Sequence, residues 1–221
     1  MRRVILLLLL VSSMVLGREV LYSLDFSKAK SGDAIPFMKK RGFKLLLNSR
    51  ELNLEIKNGR LELHTDKRKA GLFGVELSKP LESIGEVTIE WGVEKFPIGS
   101  DWAKGNNRLA IGAIFSLGVE KFGSGVPFVK SAPYFLAPFI GEKEVVGKKY
   151  LGKLYKKSGR YYCVSNRKGK LVSTTFNIDK KFREEFKKDT PPLTAFAFQM
   201  NTEDTKGGAK AFIKKITFYK K

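Results

Sequence analysis

Residues 86–118 read EVTIEWGVEKFPIGSDWAKGNNRLAIGAIFSLG, and this stretch decides the fold class. Val87, Ile89, Trp91 and Val93 alternate with polar or small residues, which is the period-two pattern of a half-buried β-strand. The alternation resumes after a loop rich in Gly, Asn and Pro, the residue types that turns prefer. The stretch therefore predicts two strands joined by a polar loop, with the other strands arranged around them.

Short alternating segments of the same kind recur along the chain at a spacing of roughly 8–12 residues, which is typical of all-β domains. The clearest hairpin joins residues 52–56 to residues 60–64 through Asn58-Gly59, the pair that a type I′ turn prefers. We therefore predict an all-β fold, an antiparallel two-sheet β-sandwich of jelly-roll-like topology.

One segment follows a helical period instead. Ile178, Phe182 and Phe186 are spaced four residues apart, and either Asn177 or Asp179 can cap the start of the helix. The sequence therefore predicts one short helix near the C-terminus of the β-sandwich.

The N-terminus has the composition of a secretory signal peptide. Arg2 and Arg3 precede an apolar segment, and Gly17 supplies a small residue at a cleavage site. A membrane anchor is the alternative, but the apolar run is shorter than the about 20 residues that span a bilayer. We predict a signal peptide over residues 1–17 and a single exported β-sandwich domain over residues 18–221, in the periplasm or outside the cell, with no transmembrane segment after cleavage.

The chain is strongly basic, with 42 Lys/Arg against 22 Asp/Glu and a formal net charge of +20. Much of the excess lies in residues 148–221, which hold 20 Lys/Arg and 6 Asp/Glu. Such a charge attracts acidic polymers, although a well-solvated surface is the simpler interpretation. The chain has only one Gln and one His but many Lys and Glu, and this composition is thermophile-like. Export argues against nucleic acid as the partner in the cell.

Cys163 and His64 are the single residues of their types, so the sequence contains neither an internal disulfide nor a zinc-binding spacing. Cys163 lies in an apolar strand segment, and we interpret it as a small buried hydrophobe. His64 lies in a charged hairpin strand, which favours a surface position over a role as a catalytic base.

Two segments resemble an uncharacterised bacterial family, catalogued as domain of unknown function 3047. The first is the strand with Trp91, followed by FPIGSD at residues 96–101 and by Arg108. The second is residues 179–216, which hold Pro191-Pro192, an apolar strand and the polar loop NTEDT. The resemblance implies an exported β-sandwich protein and brings no assigned activity.

Two departures from that family bear on a metal site. The family often carries an acidic pair where this chain has Asn106 and Asn107, and an Asp where this chain has Asn201. Both changes remove carboxylates, which hard cations prefer as ligands.

Sugar binding is the function that the loop between the two opening strands favours. Trp102 lies in a polar loop with Asp101, Asn106, Asn107 and Arg108, so an aromatic ring and hydrogen-bonding groups occur together. Trp102 is then a stacking platform for a sugar ring. The alternative is that Trp102 folds back and covers one end of the sandwich.

A structural calcium site is a second hypothesis. Asn201, Glu203 and Asp204 lie in one polar loop and offer the oxygen ligands that calcium takes. The alternative is an ordinary turn with solvated side chains. We predict no other cofactor.

Glycoside hydrolysis requires two carboxyl groups about 5–10 Å apart. Glu90 and Glu94 lie on one face of a predicted strand, but their spacing along the strand is roughly 13 Å. Catalysis would therefore need Glu90 and a second, unidentified group.

These observations favour an exported, non-catalytic protein that binds a glycan or another cell-envelope polymer. Two alternatives stay open. One is a glycan-acting enzyme that uses Glu90, and the other is an electrostatic binder of acidic polymers through the basic C-terminal half of the chain.

Overall fold

A computed structural model describes residues 18–221 of the protein. The predicted signal peptide, residues 1–17, lies outside the described residues. Within residues 18–221, no helix is both long enough and apolar enough to span a bilayer.

The described chain forms two seven-stranded sheets that pack face to face. The first sheet contains β1 (Val20–Asp25), β2 (Gly32–Asp33), β4 (Asn53–Lys57), β5 (Arg60–Thr65), β7 (Ile84–Lys95), β12 (Val172–Asn177) and β14 (Ala209–Lys220). The second sheet contains β3 (Lys44–Leu47), β6 (Ala70–Leu81), β8 (Leu109–Phe122), β9 (Ala132–Ile140), β10 (Lys149–Tyr150), β11 (Gly159–Ser165) and β13 (Leu193–Asn201). The predicted all-β sandwich is confirmed.

The two strands of the opening stretch lie in different sheets. The first sheet has the order β12-β7-β14-β5-β4-β2, with β1 also paired to β14, and the second has the order β10-β11-β9-β8-β13-β6-β3. The loop between β7 and β8 therefore crosses from one sheet to the other at one end of the sandwich. β9 and β11 pair in parallel, and every other strand pair is antiparallel in the described chain. A parallel pair requires a crossover, and residues 141–158 supply it.

The core between the sheets is largely aromatic. The ring of Phe218 on β14 lies 5.4 Å from that of Phe115 and 5.2 Å from that of Phe196, which belong to the opposite sheet. Trp91 on β7 is fully buried, and its indole Nε1 donates a hydrogen bond to the Thr174 hydroxyl at 3.0 Å. Burial of such rings supplies the main apolar driving force of the fold.

The two local predictions are confirmed. β4 and β5 form the hairpin around Asn58 and Gly59, whose φ angles are 53° and 67°. The predicted helix is α2 (Ile178–Phe186), and the Asn177 side chain caps it by accepting a hydrogen bond from the Lys180 amide at 2.7 Å.

A second helix, α1 (Ala34–Lys40), was not predicted. Pro36 marks the segment as a loop in the sequence. In the structure Pro36 lies in the first helical turn, where the backbone N–H groups have no partner within the helix. Asp33 caps the start by accepting from the Ile35 amide at 2.9 Å.

Replacing Gly92 with alanine tests how tightly the outer layer of the first sheet is packed. A Cβ at Gly92 would lie 2.4 Å from the Phe212 ring and 2.5 Å from the Lys170 carbonyl oxygen. We expect Gly92→Ala to lower the free energy of unfolding by about 1–3 kcal/mol, measured from urea denaturation.

The matched control is Gly123→Ala, because no heavy atom lies within 4 Å of a Cβ at that position. Its effect should stay within about 0.5 kcal/mol. Equal unfolding midpoints for the two variants would contradict the packing at Gly92.

Candidate functional site

The structure brings the two predicted site loops together at one end of the sandwich. Residues 96–108 and residues 202–208 are linked by a backbone hydrogen bond from the Lys206 amide to the Ile98 carbonyl at 2.9 Å. Arg108 donates from Nε to the Glu203 carbonyl at 2.6 Å and forms an ion pair with the Asp204 carboxylate. From sequence, the first loop was the predicted sugar site and the second the predicted calcium site. In the structure the two loops form one surface.

Trp102 is buried, with 6% of its surface exposed. Its ring stacks on Phe139 at 4.7 Å and contacts Tyr161 at 4.7 Å, and its Nε1 donates to the Arg108 carbonyl at 2.9 Å. It therefore offers no open face on which a sugar ring could stack, and its position agrees with the alternative that it covers part of the sandwich.

Trp102 belongs to a small apolar cluster on the outer side of the second sheet. The members of this Trp102 cluster are Trp102, Leu109, Phe139, Tyr150 and Cys163, with Tyr161 packed against them. Desolvation by burial raises the pKa of Tyr161 to about 12 and also raises the pKa of the Cys163 thiol. Cys163 is therefore a buried neutral thiol, in line with the interpretation from sequence.

The polar residues of the first loop mainly stabilise the loop itself. Asp101 Oδ1 accepts from the Lys104 amide at 3.1 Å, and Asn106 Nδ2 donates to the Gly99 carbonyl at 2.7 Å. Asn107 differs, because its Nδ2 is buried and has no hydrogen-bond partner within residues 18–221. Of the predicted ligand-binding residues, Asn107 therefore keeps an unused donor.

Two of the predicted calcium ligands have other partners in this loop. Asn201 Oδ1 accepts from the Glu203 amide at 3.1 Å, and the Asp204 carboxylate is paired with Arg108. The hydrogen bond from Arg108 is the main reason that the pKa of Asp204 is lowered. A guanidinium at this carboxylate opposes a divalent cation there. Residues 18–221 contain no group of three His, Cys, Asp or Glu residues arranged to hold a metal.

Glu90 and Glu94 lie in an ion-pair network on the outer face of the first sheet. Arg60 Nη2 lies 2.6 Å from Glu94 Oε1, Lys210 Nζ lies 2.9 Å from Glu94 Oε2, and Lys214 Nζ lies 3.1 Å from Glu90 Oε2. The hydrogen bond from Lys210 is the largest cause of the lowered pKa of Glu94. A general acid requires a raised pKa, so this network does not have the electrostatics of a glycosidase pair.

The outer face of the second sheet has a different character. The Trp102 cluster, with residues 96–108 and 141–158, covers it on one side, over β8, β9 and β11. The remaining part is an open strip of half-buried, uncharged residues: Leu72, Gly74, Ile114, Ser116, Ala195, Ala197 and Gln199. Strand pairing places Ala197 between Gly74 and Ile114, and Gln199 between Leu72 and Gly112.

The open strip forms a shallow depression of about 120 Å³ next to β3. Charges lie at its rim, where Lys44 Nζ and Glu76 Oε2 are 3.1 Å apart. Sequence analysis missed this surface. The sequence pattern that indicates this surface is the alternation of Ala195, Ala197 and Gln199 with the core residues of β13. These three residues are small or neutral and lie on the face opposite the core.

A larger cavity of about 410 Å³ lies at the other end of β8. Pro191, Pro192, Tyr134 and Phe182 supply much of its apolar lining, and Lys188 Nζ lies 3.3 Å from the Tyr134 hydroxyl. The polar groups in its lining are Glu120, Lys188, Thr194 and the Tyr134 hydroxyl. It includes none of the five residues predicted for the loop site, at positions 101, 102 and 106–108.

The fold is similar to that of known β-sandwich domains. The carbohydrate recognition domain of Emp47p aligns with a TM-score of 0.51 at 10% identity, over 90% of this chain and 95% of that domain. The potassium-bound carbohydrate recognition domain of Emp46p has a TM-score of 0.49 at 12% identity, over 90% and 96% of the two chains. At such identities the likeness shows the fold alone.

A carbohydrate-binding module of family 29 from Piromyces equi has a TM-score of 0.36 at 11% identity, over 80% of each chain. No protein-family model matches the chain, and no curated protein matches it.

Removing the Trp102 ring tests whether this residue is structural. We expect Trp102→Ala to lower the free energy of unfolding by about 3–5 kcal/mol, because it empties the centre of a buried aromatic cluster. Trp102→Phe should cost less, since it keeps most of the stacking on Phe139. Urea denaturation measures both variants, and an unchanged midpoint for Trp102→Ala would contradict the buried position.

The Glu94 ion pairs should make stability depend on pH. A carboxyl whose pKa in the folded state is below its ordinary value of 4.5 stabilises the fold above that pH, and this stability is lost as the pH falls through the folded pKa. We expect the urea midpoint of wild type to fall more steeply below pH 4.5 than that of Glu94→Gln.

The control for this experiment is Glu82→Gln. Glu82 is exposed and has no salt bridge within the described chain. It should keep the wild-type dependence on pH. A Glu94→Gln profile parallel to wild type would show that these ion pairs contribute nothing measurable.

Proposed function

We propose that this protein is an exported, non-catalytic domain that binds a glycan on the open strip of the second sheet. One observation carries the proposal. In a chain with 42 Lys/Arg and 22 Asp/Glu, the seven residues of the strip are all uncharged, and the charged neighbours at its rim, Lys44 and Glu76, pair with each other at 3.1 Å.

The strip has the properties that a neutral sugar chain requires. Small residues such as Gly74, Ala195 and Ala197 let an extended ligand approach the sheet closely. Ser116 can donate or accept through its hydroxyl, and Gln199 can do both through its amide. Ligand sites commonly combine an apolar floor with a few placed polar groups of this kind.

The adjacent loops extend this surface at one end. Asn201 ends β13, two residues beyond Gln199. Asn107, with its unused Nδ2 donor, lies next to Arg108, whose guanidinium binds the loop that follows β13. In this proposal Trp102 acts by supporting the loop rather than by stacking on a sugar.

The fold supports a glycan as the class of ligand. The Emp47p domain, which has a similar fold, is a carbohydrate recognition domain. That likeness concerns the scaffold and transfers no binding residue. The resemblance to domain of unknown function 3047 remains a prediction and agrees with an exported β-sandwich.

The two alternatives have weaker support in the structure. Catalysis through Glu90 conflicts with its ion pair to Lys214. In the basic C-terminal half, nine of the 20 Lys/Arg side chains form salt bridges. Lys149 and Arg160, for example, contact Glu185 at 2.9 and 3.0 Å. Fewer cations are therefore free to bind an acidic polymer.

Blocking the strip with a long charged side chain tests the proposal. Ala197 lies at its centre, and Ala197→Arg would cover Gly74 and introduce a charge where the strip has none. On an array of neutral and acidic polysaccharides at low and moderate salt, we expect wild type to bind neutral glycans at both salt concentrations. Ala197→Arg should lose this binding by at least about tenfold, because a steric block removes more than one contact.

Thr175→Arg is the matched control, because Thr175 is an exposed residue of β12 on the outer face of the first sheet. It should bind as wild type does, and thermal unfolding should show that both variants are folded. Binding that follows only polymer charge and vanishes with salt would instead support the basic surface. Equal binding by wild type and Ala197→Arg would exclude the strip as the site.

A further inference from the structure

The loop between β8 and β9, residues 123–131, exposes apolar side chains at its tip. Phe128 is fully exposed, at 107% of its reference surface, and Val126 and Val129 are exposed at 48% and 39%. A fully exposed phenyl ring has no role in packing this domain. Large exposed apolar groups that lie close together commonly mark a surface that binds another molecule or a membrane.

Hydrogen bonds at both ends hold this tip in place. The Tyr155 amide donates to the Ser124 carbonyl at 2.9 Å, and the Tyr155 hydroxyl donates to the Lys130 carbonyl at 2.7 Å. Ser124 is buried, and its Oγ accepts from the Val126 amide at 3.0 Å. The apolar tip is therefore presented by an anchored loop.

The backbone of Phe128 also has an unusual conformation. Its φ angle is 62°, in the left-handed region that a bulky residue seldom adopts. Such positions are costly, and they concentrate where the chain serves a purpose other than stability.

Exposed lysines lie in the loop, before it, and beside its anchoring residue. Lys121 precedes the loop, Lys130 lies within it, and Lys156 and Lys157 follow the anchoring residue Tyr155. All four lysines are exposed, and none takes part in a salt bridge within residues 18–221. Glu120 is the acidic residue next to this group in the sequence.

We propose that loop 123–131 docks the protein on the surface of an anionic lipid bilayer. The side chains of Phe128 and Val126 would enter the boundary between headgroups and acyl chains, while the four lysines contact lipid phosphates. Interfacial anchors combine these two elements, a shallow apolar insertion and basic residues beside it. The proposal is independent of glycan binding by the open strip.

Charge distinguishes this partner from a second copy of the chain. A lysine-rich rim attracts an anionic membrane, whereas two chains that each carry a net charge of +20 repel one another.

The first experiment reports on the loop itself. Trp91 and Trp102 are buried, at 0% and 6% exposure, so a Phe128→Trp variant introduces the one exposed indole of the described chain. With phosphatidylglycerol vesicles, the emission of this variant should shift to the blue, and brominated acyl chains should quench it. With phosphatidylcholine vesicles, both changes should be much smaller. An emission that stays unchanged with both vesicle types would overturn the proposal.

The second experiment measures affinity by vesicle sedimentation. Removing a buried phenyl ring should weaken binding to phosphatidylglycerol vesicles roughly ten- to a hundredfold, so Phe128→Asp should show at least this loss. The control is Leu171→Asp, at an apolar residue that is 51% exposed elsewhere on the surface and should bind as wild type does. All proteins are prepared with the same N-terminus, so residues 1–17 contribute equally.

A third measurement separates a membrane from a protein partner. Analytical ultracentrifugation without lipid should give the same molar mass for wild type and Phe128→Asp. Self-association of wild type that Phe128→Asp abolishes, together with equal vesicle binding by the two proteins, would assign the loop to a second copy and overturn the proposal.

Discussion

The contact of Phe218 with Phe115 and Phe196 joins the two sheets, and the rest of the structure depends on this aromatic layer. The chain has one cysteine, so no internal disulfide assists the core. The inner faces are therefore largely apolar, and Thr174 is a polar residue there whose hydroxyl accepts from Trp91. Polar and functional variation is confined to the two outer faces, to the ends of the sandwich and to its loops.

The two outer faces carry their polar residues in different arrangements. On the first sheet, Glu94 pairs with both Arg60 and Lys210 at distances below 3 Å, and Glu62 pairs with Arg60 at 2.9 Å, so two cations and two carboxylates balance one another. On the second sheet, the crossover that the parallel β9–β11 pair requires returns over the outer side and buries Trp102. The uncovered remainder is the open strip, whose seven residues are uncharged and whose rim carries the Lys44–Glu76 ion pair.

Sequence reasoning predicted the elements with local causes. Asn58-Gly59 has the backbone preference of its turn, and Asn177 with Ile178 and Phe182 has the cap and the apolar face of a helix. The helix at residues 34–40 was missed because Pro36 reads as a loop residue until its place in the first turn is known. The candidate site was predicted less well, because a tryptophan in a polar loop has the same local pattern whether it faces solvent or a second apolar cluster.

The sequence by itself determined the all-β class, the inward faces of the strands, the hairpin turn and the C-terminal helix, because each depends on neighbours within a few residues. Only the tertiary structure decided that Arg108 meets Asp204, that Trp102 is buried on Phe139, and that small residues from β6, β8 and β13 form one uncharged strip. These features depend on which strands pair and where the crossover returns. Pairing over long separations leaves no periodic signature in a single sequence, since alternation fixes the face of a strand and not its neighbour.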